Sequence, residues 1–210
     1  LEATMLTGLA THPENPQAQQ WRDQFSNAKI QAQLVPMFNA DLVGGGSREG
    51  TGYGTAMKNL FKLYFLWAKS TGEKIADLTP HTRLTAYWLA HATVPTLDKL
   101  VPVGDHARES TAALFDYHRE LWLSLITQYP EDPGVRATKQ LLADSSVPQM
   151  EHSFTFWADF LYERPSVAPL PLATLNTAYY GSGTGNLFTR SSWSKTATLA
   201  HLIAGPYTES

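Results

Sequence analysis

Apolar residues recur at helical spacing along most of the chain. Met5 to Ala10 reads as the tail of a helix, and Pro13 and Pro16 interrupt the pattern after it. From Gln17 to Leu34, apolar positions at Trp21, Phe25, Ala28, Ile30 and Leu34 predict an amphipathic helix that Pro36 ends. Thr55 to Lys69 is apolar nearly all round, through Met57, Leu60, Phe61, Leu63, Tyr64, Phe65, Leu66 and Trp67, and predicts a buried helix. Thr79-Pro80 opens another that runs through Tyr87, Trp88 and Leu89 and stops before Pro95. Leu97 to Val103 reads as a loop. Ala107 to Tyr129 predicts a long helix, and Pro133-Gly134 opens a shorter one to Ala143. Pro148 opens a last helix with Phe154, Phe156, Trp157, Phe160 and Leu161 on its apolar side.

The pattern changes at Pro165. Pro165, Pro169 and Pro171 break helical periodicity, and two β-like runs follow at Leu187 to Trp193 and Thr196 to Ile203 before Gly205-Pro206. The expected architecture is therefore mainly α. Antiparallel helix pairs occupy 1–164, a linker 165–186, and the first strands of another unit 187–210. No sequence repeat at a fixed period supports a regular solenoid.

Composition fits a folded chain: 210 residues, 43% hydrophobic and 17% charged. A net charge of −3 gives no argument for nucleic acid, so an anionic polymer would have to be met by local basic residues. With no cysteine there is neither a disulfide framework nor a thiolate metal site. No apolar run is long enough to span a bilayer, and Leu1-Glu2-Ala3-Thr4 does not begin a signal peptide. Both ends read as cuts through a longer protein, so this is expected to be an internal segment whose partners include the rest of that chain.

The stretch with chemical content is Gly44-Gly45-Gly46-Ser47-Arg48-Glu49-Gly50-Thr51-Gly52-Tyr53-Gly54. Six glycines in eleven residues permit left-handed backbone and close approach, and they deliver Tyr53 to the first turn of the following helix. A flexible loop with Thr51 as helix N-cap accounts for the same residues. None of the seven histidines forms a His-x-x-x-His pair, so no metal site is expected. Gly181 to Gly185 resembles a phosphate cradle only superficially, since it follows no clear strand and opens no helix. Trp67, Trp88, Trp122 and Trp157 fall on four predicted helices, where they either fill the core or line a groove that stacks on sugar rings.

The glycine–tyrosine stretch resembles the Glu-Gly-x-x-Tyr signature of heparinase II/III-like and alginate-lyase-like polysaccharide lyases. The run Phe188-Thr189-Arg190-Ser191-Ser192-Trp193, followed by Thr196 to Ala204, is similar to the start of their second domain. The resemblance implies an incomplete (α/α) toroid followed by an antiparallel β-sandwich. It implies cleavage of a uronate-containing glycan by β-elimination, with Tyr53 as base and acid. Arg48 and Glu49 are expected near the substrate, with Arg48 favouring the tyrosinate or neutralising the uronate and Glu49 orienting Arg48 or holding the loop. Arg190 and Trp193 are expected at the cleft edge or in a structural role there. The family's further Asn or His, and its His-x-His-x-Asp segment, have no counterpart among these residues; His12, His152 and His201 do not match them. Any structural metal would belong to the sandwich beyond Ser210, none to this segment. The resemblance implies an anionic uronate polysaccharide as partner, with neither nucleic acid nor membrane expected, and a periplasmic or secreted location. Two other readings remain. One is a carbohydrate-binding or structural α-toroid without chemistry. The other is an α/α glycosidase needing an acid pair, for which Asp116 and Glu120 share a helix face while no second acid is evident opposite Asp159.

Overall fold

The computed structural model describes residues 1–104, 112–150, 154–162 and 166–205. Helices dominate, and a small antiparallel sheet packs on them near the C-terminal end of the chain. Helix α1 (Glu2–Thr11) leads to α2 (Ala18–Asp23), which continues into a π-helical segment (Gln24–Leu34) and then α3 (Val35–Asp41). Pro36 therefore does not end the helix. It sits in the first turn of α3, and the preceding turns widen so that the Val35 N–H reaches back to the Ile30 carbonyl. The wider winding accommodates the residue that would clash with a regular α turn.

After the glycine stretch, a 3₁₀ turn (Tyr53–Ala56) feeds α4 (Met57–Thr71), which ends on Gly72 in the left-handed conformation. Helix α5 spans His81–Ala92. The segment expected as a loop then contains β1 (Lys99–Leu100), paired with β2 (Ala112–Ala113). The long helix α6 runs Asp116–Gln128, later than the predicted start at Ala107. Residues 107–111 of that predicted helix lie outside the described residues. At its first turn Phe115 is extended and its N–H is taken by the His118 ring, so the helix begins there. Helix α7 (Pro133–Asp144) opens where Pro133-Gly134 predicts, with the Asp132 carboxylate accepting from the Gly134 and Val135 N–H groups.

The expected helix from Pro148 is reduced to one turn, α8 (Ala158–Leu161). Residues 151–153 lie outside the described residues. Beyond them the Thr155 N–H is held by the buried Asp116 carboxylate at 2.6 Å, which diverts the backbone from helical bonding. Phe154 and Phe160 are consequently exposed rather than core, at 88% and 95%, and Phe156 and Trp157 are partly so. The composition change at Pro165 also falls outside the described residues.

Helix α6 packs between α4 and α7, and α7 also meets α5. The sheet is a meander of β3 (Ala178–Gly181), β4 (Asn186–Arg190) and β5 (Leu199–Ile203). Strand β3 lies inside the stretch expected as linker. Gly181 to Gly185 forms the turn between β3 and β4, which removes any cradle reading, since a strand and not a helix comes after it. The sheet rests directly on α5. Trp88 of α5 is 1% exposed and meets the Phe188 ring edge-on at 5.2 Å. Trp67 and Trp122 are buried with it in the core, and Trp157 is not.

Arg190 ties the two layers together from below. Its guanidinium donates to the carbonyls of Ala90 (3.4 Å), His91 (2.9 Å) and Thr93 (2.7 Å) at the end of α5. It also lies 3.8 Å from the Trp193 ring centre. Burial pushes the guanidinium down to about 10, which leaves it charged at neutral pH.

Gly46 packs against the Trp88 indole. A Cβ there would come within 2.8 Å of the ring, at a φ of +88°. Gly72 has a similar φ of +78° but open space around it. Gly46→Ala is therefore expected to lose about 3 kcal/mol of stability or more, combining backbone strain with the clash. Gly72→Ala should lose only about 1 kcal/mol. Urea-unfolding midpoints of the two variants check this; equal losses would show that the indole contact carries no weight.

Candidate functional site

The glycine stretch is a clamped structure and not a flexible loop. The Gly44 carbonyl accepts from the Tyr179 hydroxyl of β3 at 2.7 Å, and the Gly46 carbonyl accepts from His81 Nε2 of α5 at 2.8 Å. Gly50 faces Gly104 in an isolated antiparallel bridge. Thr51 is fully buried; its N–H donates to the Val103 carbonyl at 3.0 Å, its hydroxyl donates to the Val101 carbonyl at 3.0 Å and accepts from the Val103 N–H at 3.1 Å. Thr51 therefore anchors the loop to the 101–103 segment and does not cap the helix. The next turn closes on Gly52, whose carbonyl accepts from the Thr55 hydroxyl at 2.7 Å.

Tyr53 emerges from this frame as the first residue of the 3₁₀ turn, with 70% of its surface exposed. It stands on the rim of a cleft of about 480 Å³, a size typical of small-molecule sites. Lys58 and Asn59 from the start of α4, and Tyr117 from the start of α6, line the same cleft. Lys58 Nζ lies 2.8 Å from Glu120 Oε2 of α6, a carboxylate only 1% exposed, and donates to Asn59 Oδ1 at 3.3 Å. Burial and the neighbouring Asp116 carboxylate raise Tyr117 above the ordinary phenol value, which keeps it a hydrogen-bond donor.

Of the residues singled out from sequence, only Tyr53 lines this cleft. Arg48 is ion-paired with Asp41 at 2.5 Å on the half-exposed outer side of the loop. Glu49 is exposed, and its backbone N–H donates to the Ser47 hydroxyl at 3.2 Å. Arg190 and Trp193 form the stacked pair beneath α5 described above, with the Trp193 indole donating to the Leu175 carbonyl at 3.1 Å. Asp116 and Glu120 face different partners, the Thr155 N–H and Lys58, and Asp159 is held bidentately by Arg119. His152 lies outside the described residues; His201 bonds Asn186 at 2.8 Å and stacks on Phe188. No cluster of three metal-ligating side chains occurs among the described residues.

A second cavity of about 300 Å³ opens between the C-terminal ends of α4 and α6, bounded by Tyr64, Phe65, Lys69, Asp77 and Tyr129. Burial raises both Tyr64 and Tyr129 well above the ordinary phenol value, so neither supplies a base. No protein family matches the chain, and no curated protein or solved structure matches it.

Lys58, Asn59 and Tyr117 escape a reading by motif. The signal for Lys58 lies in its spacing: it follows Tyr53 by five residues, in the first turn of the helix that Tyr53 leads into.

His81 sets the pH behaviour of the clamp. It is 1% exposed, stacked on Phe38 at 4.2 Å, and burial lowers it to about 4 despite the hydrogen bond to Gly46. The unfolded chain takes up this proton near pH 6.5 and the folded chain holds it off until about 4. The unfolded state binds more protons in that window, so stability falls as pH drops through it, by about 3 kcal/mol at most from this one group. His91 and His201 shift in the same direction and add to the slope. His81→Leu is expected to be less stable at pH 7 and to show a flatter dependence between pH 6.5 and 4, measured by urea unfolding across pH. An unchanged slope would remove His81 from the account.

Proposed function

We propose that the chain is the tyrosine-bearing part of a polysaccharide lyase that cleaves a uronate-containing glycan by β-elimination. The observation that carries this reading is an exposed Tyr53 fixed by a clamped glycine loop on the rim of a cleft containing an ammonium and a carboxamide. In this chemistry the Tyr53 phenolate takes the proton from C5 of the uronate. The C5–H electrons form the C4–C5 double bond, the C4–O bond breaks, and the phenol returns its proton to the leaving oxygen. In D-glucuronate and D-mannuronate the C5 hydrogen and the C4 oxygen lie on the same face of the ring, so a single positioned group can serve both proton transfers. Positive charge beside the uronate carboxylate stabilises the carbanion-like transition state.

On this reading the helices belong to an incomplete (α/α) toroid, and β3 to β5 begin a sandwich. The substrate is extracellular or periplasmic, and the protein with it. No metal or organic cofactor is needed by the residues named.

One observation favours a binding-only alternative. Phe154, Trp157 and Phe160 present aromatic surface to solvent, as sugar-stacking surfaces do. The two readings separate in one assay. The protein is incubated with alginate, heparan sulfate, chondroitin and hyaluronan, and the unsaturated uronate is followed by ultraviolet absorbance. The lyase reading expects product with wild type and a loss of about 10²-fold or more in Tyr53→Phe, with glycan binding kept. Product formed equally by Tyr53→Phe would overturn the tyrosine's role, and binding without product from wild type would favour the binding module.

A further inference from the structure

The ion pair between Lys58 and Glu120 has no structural necessity that its surroundings explain. Burying a carboxylate costs several kcal/mol unless it is well paired and hydrogen-bonded. Glu120 is 1% exposed on α6, and apart from Lys58 its oxygens have no hydrogen-bond partner among the described residues. An apolar pair between α4 and α6 would pack as well at lower cost. What the pair does achieve is to hold a cation at a fixed point. Lys58 is a flexible four-carbon side chain, yet its ammonium is pinned from two sides, by Glu120 Oε2 at 2.8 Å and by Asn59 Oδ1 at 3.3 Å.

An ammonium has three N–H donors, and these two contacts occupy two of them. Its side chain is 18% exposed, and the surface it shows belongs to the wall of the cleft that Tyr53 borders. Asn59 accepts from Lys58 through its carbonyl oxygen and also lines the cleft, and its NH₂ group remains a donor. Lys58 is the one cation lining that cleft among the described residues, since Arg48 is engaged by Asp41 on the loop's outer side.

We infer that Lys58 is the receptor for a carboxylate of a sugar acid bound in the Tyr53 cleft, and that Glu120 is the positioning residue that aims its ammonium there. The inference rests on the uronate reading above for its substrate class, and concerns recognition rather than elimination. The receptor is a single cation with a neighbouring amide donor, which suits one monoanionic carboxylate. Multiply sulfated rings would need more positive charge than the cleft supplies. The preferred glycan is therefore one whose charge is carried by carboxylates alone.

The test compares binding of an alginate oligosaccharide with that of the same oligosaccharide after its carboxyl groups are reduced to alcohols, by titration calorimetry. Lys58→Met is expected to weaken binding of the acid at least tenfold, to leave the reduced oligosaccharide unaffected, and Lys58→Arg to restore most of the loss. Because Lys58→Met strands the Glu120 carboxylate, the double variant Lys58→Met/Glu120→Gln, which removes both charges, serves as the folded control and should show the same selective loss. Glu120→Gln alone keeps the ammonium but unpins it. It should weaken the acid two- to fivefold, with little change for the reduced sugar. The proposal is overturned if the folded double variant binds the acid as wild type does, or loses acid and reduced sugar equally. Selective loss without any unsaturated product upholds this inference while defeating the lyase reading. Product formed by the double variant with an unchanged KM does the reverse.

Discussion

The contact on which the rest depends is the indole of Trp88. Gly46 from the loop and Gly181 from β3 both approach it so closely that a methyl group at either would come within 2.8 Å. Phe188 of β4 closes a third side edge-on at 5.2 Å. Helix, loop and sheet thus meet on one buried ring, and each is shaped to fit it. Dispersion and burial of so large an aromatic give the junction its strength. The two glycines are there because nothing larger leaves room for the ring.

Around that ring, polar contacts fix direction. Tyr179 and His81 hold two parts of the glycine loop through its carbonyls, and Thr51 stitches it to the 101–103 segment. Each bond adds on the order of 1 kcal/mol, but the geometry matters more than the energy. A tyrosine 70% exposed would wander on a loose loop. Here the backbone that carries it is fixed at several points between Gly44 and Thr55. The acids that a hydrolytic reading would recruit are held in the same way: Asp116 accepts a backbone N–H, Glu120 pairs with a lysine and Asp159 with an arginine.

Much of the helical frame was legible in the sequence because apolar periodicity reports burial. The Thr55 to Lys69 and Thr79 to Ala92 patterns place α4 and α5 within a few residues, and Pro133-Gly134 marks the start of α7. The failures have physical causes. Pro36 was a breaker by local rule, and the π-helical winding before it absorbed the conflict. The aromatic run from Phe154 to Leu161 has helical spacing, yet a single long-range bond from the Thr155 N–H to Asp116 redirects the backbone. Strand β3 was hidden among prolines and glycines, where four residues carry too little pattern to register. At the site, sequence located Tyr53 because a dense glycine run is a local signal. Lys58 acquires its meaning from Glu120, sixty-two positions later in the chain, and no local pattern carries that.

Helix α5 is gripped at both ends. His81 at its first residue bonds the loop, and the guanidinium of Arg190 gathers the carbonyls at its last turn. Twelve residues of α-helix form a strut about 18 Å long. Such a strut resists stretching far better than bending, so the loop and the sheet cannot change their separation independently. A strand slip of one residue in β4 would carry Arg190 to the opposite face and release the lower grip. The sheet therefore acts as the fixed footing against which the tyrosine's loop is held taut, although it contributes no residue to the cleft.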